Sequence, residues 1–110
     1  MFDELVAQLK ELDIPTAWHS FVAVPKAHCF ATYNTPQIRF DGGDQYAMFK
    51  HISAEIVIFY KDGKTEADFE LENSFEDAVR FAGSFKKECG FDSANALFFS
   101  CYSFEFGENY

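Results

Sequence analysis

The sequence predicts an α+β fold: a mainly antiparallel β-sheet of about five to six strands with two helices, in the order α-β-β-β-α-β-β, within a single domain of residues 1–110. Three observations predict it. The stretch His51–Tyr60 alternates with the period of two that is typical of a strand. Residues 3–12 and 66–81 show the three- and four-residue apolar spacing of helices. Runs of strands flanked by helices favour an antiparallel sheet with the helices on one face.

The first helix is predicted over residues 3–12. Asp3 and Glu4 lie in its first turn, where the helix dipole favours acidic side chains. Pro15 ends it, because the residue before a proline avoids the helical conformation. Its apolar face consists of Phe2, Leu5, Val6, Leu9 and Leu12.

Two short strands follow and are predicted to pair as a hairpin. The first is Thr16–Val22, ended by Val24-Pro25-Lys26. The second is His28–Tyr33, ended by Asn34-Thr35-Pro36. Gln37–Phe40 is then expected to be extended and loosely held.

The next strand, Tyr46–Tyr60, is the one around which the others are organised. Asp41-Gly42-Gly43-Asp44 precedes it and is predicted to be a turn, since it lacks the remaining ligands of a Ca²⁺ loop. A strand of this length is expected to bend, or to carry a bulge near Lys50 and His51. Over His51–Tyr60 one face of the strand is apolar throughout, and the other becomes apolar at its end, at Val57 and Phe59. The strand is therefore predicted to be central, or covered there by a second layer.

The second helix begins after the turn Lys61-Asp62-Gly63. Thr65 is its predicted N-cap, with Asp68 three positions later, and Gly83 is its predicted C-cap. Its helical spacing is given by Phe69, Glu72, Phe75, Ala78, Val79 and Ala82. Its acidic residues are predicted to lie on a solvated face; they are Glu66, Asp68, Glu70, Glu72, Glu76 and Asp77.

Two more strands complete the predicted sheet. Ser84–Cys89 is a short strand, Gly90–Asn95 a turn or bulge, and Ala96–Phe106 a long strand, followed by a loose tail at Gly107–Tyr110. One face of the last strand carries Phe98, Tyr102, Phe104 and Phe106. The opposite face carries Leu97, Phe99 and Cys101.

Charge and cysteine content exclude several classes of protein. The formal net charge is −9, which disfavours binding to nucleic acid phosphates or to an anionic membrane. The three cysteines are odd in number and form no CxxC pair, so a reducing cytosol is expected and each cysteine is expected to be a small buried hydrophobe. No apolar run approaches the length of a membrane span and the first residues are acidic, so a soluble, unexported and unanchored chain is expected.

Aromatic content points instead to protein contacts. Fifteen Phe, five Tyr and one Trp exceed what one small core needs, and aromatic side chains are favoured at interfaces. Phe59 and Phe99 are predicted to lie against a neighbouring subunit or a second layer.

No catalytic, cofactor-binding or metal-ligating residue is assigned, and no cofactor is expected. His19, His28 and His51 are scattered and lack a second ligand at metal spacing. Cys29 follows His28 directly, so on a strand the two side chains point to opposite faces. A nucleophile formed by Cys29 and a distant histidine stays open as a minor alternative.

The ordered segments of the chain resemble the small tail-completion proteins of long-tailed phages and prophages. The resemblance begins with LVAQLKELDIP and TAWHSF, continues through CFATYNTPQIRFDGGDQYAMFK and AEIVIFYKDGKTEADFELENSFEDA, and ends at ALFFSCYSFEF. Tyr60, Lys61 and Asp62 stand in matching places, as do Tyr102, Phe104 and Glu105. The chain departs from the family at Gly63, where many members have proline, and over residues 85–95.

This resemblance implies a tail-terminator that caps the tail tube and joins it to the head connector. The implied partners are copies of the chain in a ring, commonly of six, the tail tube protein and the connector protein. The implied location is the host cytoplasm during assembly and then the virion tail, with no catalysed reaction. Two alternatives remain open: an acidic DNA mimic that inhibits a host nucleic-acid-binding protein, and a small binding module or enzyme that uses Cys29 or a histidine.

Overall fold

The computed structural model describes residues 2–42 and 48–109, and it confirms the predicted α+β fold. Two helices accompany one five-stranded, mostly antiparallel sheet. The elements are α1 (Phe2–Lys10), β1 (Thr16–Trp18), β2 (Cys29–Gly42), β3 (Met48–Tyr60), α2 (Glu66–Ala78), a 3₁₀ turn (Arg80–Ala82), β4 (Phe85–Asp92) and β5 (Leu97–Asn109).

Strand β3 lies at the centre of the sheet, whose order is β1-β2-β3-β5-β4. It pairs antiparallel with β2 on one side and β5 on the other along nearly its whole length. Both helices pack on one face, where α1 and α2 place their apolar residues against alternate residues of the strands. The core contains Leu5, Leu9, Cys29, Ala31, Ala54, Ile56, Ile58, Tyr60, Phe75, Val79, Tyr102 and Phe104. The period-two pattern of β3 therefore separates a helix-covered face from a face that no helix covers.

The predicted hairpin between the first two strands is wrong. Strand β1 ends at Trp18, because His19 adopts the left-handed backbone conformation with φ 67°. β1 runs parallel to β2, with Ala17 opposite Thr32. A parallel pair needs a connection that returns the chain to the same end of the sheet, which residues 19–28 provide.

Strand β2 does not stop at Asn34-Thr35-Pro36, where the sequence predicted a break. Its register with β3 shifts between Asn34 and Gln37, and the strand then continues to Gly42. Proline is tolerated at such a bulge, because the residues there leave the regular ladder. The bulge predicted near Lys50 and His51 is also wrong, since both pair in regular register with β2 and β5.

The far ends of three strands form an extension that we call the arm, residues 37–42 of β2, 48–53 of β3 and 105–109 of β5. The predicted loose tail is therefore wrong over Gly107–Asn109, which pairs with β3. Asp41 and Gly42 of the predicted turn belong to β2, whereas Gly43, Asp44 and the predicted strand start at Tyr46 lie outside the described residues. The arm gives the molecule extents of 53 × 28 × 21 Å.

Helix α2 begins at the predicted cap. The Thr65 side chain accepts a hydrogen bond from Asp68 N–H, and the Asp68 carboxylate accepts one from Thr65 N–H, which together form a capping box. The helix ends earlier than predicted, at Ala78, with Val79 as its C-cap. Gly83, with φ 80°, ends the 3₁₀ turn that follows.

Strand β4 is longer than predicted and reaches Asp92, so Gly90 lies inside a strand rather than in a turn. The ring of Phe99 on β5 lies over Gly90, and a Cβ at position 90 would stand 2.8 Å from its Cζ atom. Glycine here permits close approach of an aromatic ring across the strand pair.

Replacement of Thr65 by Ala should lower the free energy of unfolding by about 1 kcal/mol, because it removes the acceptor for Asp68 N–H at the start of α2. Replacement by Ser keeps the hydroxyl and should lose much less. Urea denaturation followed by circular dichroism measures both variants. Equal losses for Ala and Ser would show that the hydroxyl does not stabilise the helix.

Candidate functional site

The structure does not bring the histidines and Cys29 together into a reactive site. His19 ends β1, and His51 lies on the arm with its ring 4.6 Å from the ring of Phe49. His28 contacts the start of α2, where its Nε2 is 2.8 Å from Asp68 Oδ2. Among residues 2–42 and 48–109, no three His, Cys, Asp or Glu side chains are grouped so that they could hold a metal ion.

Cys29 is buried under α2 in an environment that disfavours the thiolate. Burial raises its pKa to about 12, and the nearby charges of Asp68 and Glu72 act in the same direction. The expectation that all three cysteines are buried is wrong for Cys89, which is exposed, and Cys101 is half-buried. Within the described ranges, no helix is long and apolar enough to span a membrane.

The most polar cluster of the interior surrounds Glu72, whose side chain is only 1% exposed. Tyr60 of β3 donates a hydrogen bond to Oε2 at 2.5 Å, and Ser100 of β5 donates another at 2.6 Å. Lys64 Nζ lies 3.1 Å from Oε2, and Lys87 Nζ of β4 lies 2.9 Å from Oε1. One carboxylate thus attaches α2 to three strands of the sheet.

A second carboxylate extends this cluster along α2. Glu76 Oε2 accepts a hydrogen bond from Tyr102 at 2.7 Å and lies 2.8 Å from Lys87 Nζ. Lys87 therefore bridges two acids one helical turn apart, and its pKa is raised because these contacts outweigh its partial burial. The tyrosine hydroxyls remain protonated donors, since burial and hydrogen bonds to the acids raise the pKa values of Tyr60 and Tyr102.

Glu72 carries its charge despite being buried. Burial alone would raise its pKa, but hydrogen bonds from Ser100, Tyr60, Lys87 and Lys64 outweigh this and lower the pKa to about 2. A carboxylate held in this way is ionised at neutral pH and has its acceptor sites occupied. The cluster therefore fixes the helix on the sheet rather than offering a general base to a substrate.

The prediction that the acids of α2 lie on a solvated face is wrong for two of them. Asp68 and Glu72 are buried, at 5% and 1% exposure, whereas Phe69 is 53% exposed. The sequence contained a signal for Glu72, which falls on the same helical spacing as Phe75 and Val79. It could not show that Lys64 and Lys87 would meet this carboxylate, since the lysines are brought there by the sheet.

The face of the sheet opposite the helices is the second candidate, and we call it the helix-free face. It includes Phe30, Val57, Phe59, Phe99 and Cys101, which alternate with the core residues of β2, β3 and β5. In the described part of the chain no helix packs on this side. Phe59 and Phe99 thus lie on the face where the sequence predicted a neighbour or second layer, and their contact with a neighbour remains a prediction.

Aromatic rings form a row across this face. The ring centroids of Phe21 and Phe30 are 5.6 Å apart, those of Phe30 and Phe59 are 5.3 Å apart, and those of Phe59 and Phe99 are 6.5 Å apart. Each pair falls in the distance range of favourable ring contacts. The row crosses β2, β3 and β5, and the last ring reaches over Gly90 of β4.

Beside the aromatic row lies a shallow hollow of about 390 Å³. Its floor is apolar, formed by Val57, Phe59, Phe99 and Cys101, and its only charged lining residues among those described are Glu55 and Asp92. Such a surface has the apolar centre and polar margin of a protein contact site. It offers no group of converging polar side chains that would orient a small substrate.

Comparison with known proteins adds nothing to this description. No protein-family model matches the sequence, and no curated protein is similar to it at a significant level.

Replacement of Glu72 by Gln should lower the free energy of unfolding at pH 7 by about 3 kcal/mol, because it leaves Lys64 and Lys87 beside a neutral group. The stabilisation by Glu72 exists above its ordinary pKa of 4.5 and is lost as pH falls toward about 2, since the folded-state pKa is the lower one. The variant should therefore lose less stability than the wild type over this range. Urea denaturation at several pH values measures both effects.

The matched control is replacement of Glu70 by Gln, which changes an exposed acid on the same helix. Its effect should stay within about 0.5 kcal/mol. If both variants behaved alike, the Glu72 cluster would not hold α2 on the sheet.

Proposed function

We propose that this chain is a structural phage or prophage tail-completion protein, a terminator that caps the tail tube and joins it to the head connector. The helix-free face with its row of aromatic rings is the observation that carries the proposal. An apolar strip of this kind, with acids at its margin and none of the described helices over it, suits contact with another protein. The agreement in segment order with the tail-completion family supports the same role.

The proposal makes the chain an architectural subunit without a catalysed reaction or a cofactor. Its partners are copies of itself in a ring, six in number by the family resemblance, the tail tube protein and the connector protein. The buried, fully hydrogen-bonded state of Glu72 and the raised pKa of Cys29 support a role that needs no reactive group. The chain would act in the host cytoplasm during assembly and remain in the virion tail.

The alternative role, an acidic DNA mimic, has less support. A mimic needs a regular double row of exposed acids, and the acids of α2 do not provide one. Asp68 and Glu72 are turned into the protein, and Glu76 is half-buried against Lys87.

Deletion of the gene from the phage that encodes the chain should give tails of uncontrolled length that do not join heads. Electron microscopy of lysates measures tail length and the fraction of joined particles, and wild-type protein supplied in trans should restore both. Tails of normal length that join heads without the protein would overturn the proposal.

The same complementation identifies the contact surface. Replacement of Val57 by Lys places a charge within the apolar floor of the hollow and should abolish rescue. The control is replacement of Phe81 by Lys, which changes an exposed aromatic residue, 45% exposed, in the 3₁₀ turn after α2. Circular dichroism confirms that both variants fold. Rescue by the Val57 variant equal to that by the Phe81 variant would exclude the helix-free face as the contact surface.

A further inference from the structure

Several stretches of strand edge carry no partner strand in the described part of the chain, and the two longest lie on β2 and β4. Strand β1 covers the outer edge of β2 only opposite Ala31–Tyr33, so no strand of the described residues lies beside residues 34–42 of β2 on that side. Strand β4 forms the opposite edge of the sheet over Phe85–Asp92. A row of outward N–H and C=O groups is a template for pairing with another chain.

The direction of the backbone groups on β2 follows from two hydrogen bonds to the β1 side. Ala31 N–H donates to Pro15, and Tyr33 C=O accepts from His19. Alternate residues of an antiparallel strand point their backbone groups to the same side. The register shift between Asn34 and Gln37 adds one residue, so beyond it the outward groups belong to Ile38 and to every second residue after it.

The same alternation determines the outward residues of β4. Tyr33 of β2, whose backbone groups point outward, lies opposite Ile56 of β3, so the backbone groups of Ile56 point toward Tyr102 of β5. The residue next to Tyr102 along β5 is Cys101, and its backbone groups therefore point toward Glu88 of β4. Glu88 is thus engaged with β5, and the adjacent Cys89 points its N–H and C=O outward.

We propose that β4 of one copy of this chain adds to the edge of β2 that β1 leaves without a neighbouring strand in the next copy, which makes one continuous antiparallel sheet through the assembly. This pairing extends the proposed function, because it identifies the contact between the subunits of the ring. It rests on that function only in requiring that copies of the chain associate. In chain direction β2 and β4 already run antiparallel to each other within the sheet. A neighbour related by rotation therefore presents β4 in the right direction, with its helices on the same side.

The lengths of the two edges match. When Ile38 lies opposite Cys89 of the neighbour, Gly42 lies opposite Phe85, and Asp92, the last residue of β4, lies opposite residue 35. The neighbour's strand thus ends two residues from Tyr33, the last residue that β1 covers. The added strand would continue the edge that β1 leaves incomplete.

The charge of the Arg39 side chain favours this register over the two registers that are shifted by two residues. In it Arg39 of one copy lies opposite Glu88 of the next, on the helix-free side. A shift by two residues in one direction would place Arg39 opposite Lys86, and like charges directly opposite each other on neighbouring strands are destabilising. A shift in the other direction would place Arg39 opposite Gly90 and remove the charge pair.

One of the two lysines of β4 is not free to protect the edge. The Lys87 side chain is already bound by Glu72 and Glu76, at 2.9 and 2.8 Å, and points to the helix side, whereas Lys86 is exposed on the helix-free side. The register of β4 with β5 is unbroken, and β4 contains no proline. The strand therefore lacks the bulge or proline that commonly blocks pairing.

The offset between the two edges suits a closed ring. Ile38 is aligned, through β3, with Phe106 of β5, whereas Cys89 is aligned with Ser100, so the edges differ by six residues along β5. At roughly 3.3 Å per residue, this offset is about 20 Å along the strand direction. The width of the five strands that each copy contributes is about 24 Å. The strands would then tilt by about 40° from the ring axis, within the range of closed barrels.

A disulfide tests the pairing directly. Replacement of Ile38 by Cys places a thiol, in an assembled pair, opposite the exposed native Cys89, at a Cα separation of about 5.5 Å that permits a disulfide. Within one chain the two positions lie on opposite edges of the sheet and cannot bond. With Cys101 replaced by Ser and diamide as oxidant, the full chain should give a ladder of linked species on a non-reducing gel. A ladder extends beyond the dimer, because each copy carries both reacting positions.

Several results would overturn the proposal. Absence of linked species at the highest soluble concentration would exclude the pairing, and a product that stops at the dimer would exclude the head-to-tail arrangement. More product from Phe40→Cys than from Ile38→Cys would exclude this register. The linked species must also disappear when Cys89 is replaced by Ser, and Arg39→Cys, which faces the helix-free side, should give none.

Charge reversal provides a second measurement. Arg39→Glu or Glu88→Arg alone should slow cross-linking of the Ile38→Cys chain several-fold, and the two together should restore the rate. A double variant as slow as the singles would exclude the Arg39–Glu88 pair and thus the register. Failure of the pairing remains distinct from failure of the proposed function: a ladder with normal tails after gene deletion contradicts the tail role alone, and overlong tails without a ladder contradict the pairing alone.

Discussion

The carboxylate of Glu72 determines where the helical layer lies, because its hydrogen bonds and ion pairs join α2 to β3, β4 and β5 at once. Isolated helices of this length are marginal in water and depend on such tertiary contacts. With α2 held there, α1 completes the same layer, and Leu9 and Phe75 both belong to one core. In the described part of the chain the opposite face receives no helix. Phe30 is buried there against Phe21, whereas Phe59 and Phe99 remain partly exposed and could contact another protein.

Local patterns were sufficient to predict the element order and the central strand. The alternation of His51–Tyr60 and the cap at Thr65 depend on neighbours in the sequence, so their physical causes are visible in the sequence itself. The division of β5 into a core face and an opposite face was predicted for the same reason. Tyr102 and Phe104 lie in the core, and Phe99 lies on the other side.

The errors arose where distant residues decide the structure. The parallel pairing of β1 with β2 depends on the path of the chain between them, and no local pattern encodes that path. The bulge at residues 34–37 lets β2 continue past Pro36, which a local argument treats as a strand breaker. Glu72 was assigned to solvent because acids are seldom buried unless paired, and its lysine partners are separated from it by 8 and 15 positions along the sequence.

The strand edges proposed to join copies of the chain and the aromatic row proposed to contact another protein lie on different parts of the sheet. Edge pairing through β2 and β4 would use main-chain groups in the plane of the sheet, whereas the aromatic row projects perpendicular to that plane. The two kinds of contact can therefore form at the same time without competing for the same atoms. A continuous sheet would also bring the helix-free faces of successive copies onto one side, so that their aromatic rows join into a single apolar band. A repeated band of this kind matches a partner that is itself a ring, such as the end of a tube, better than it matches a single small protein.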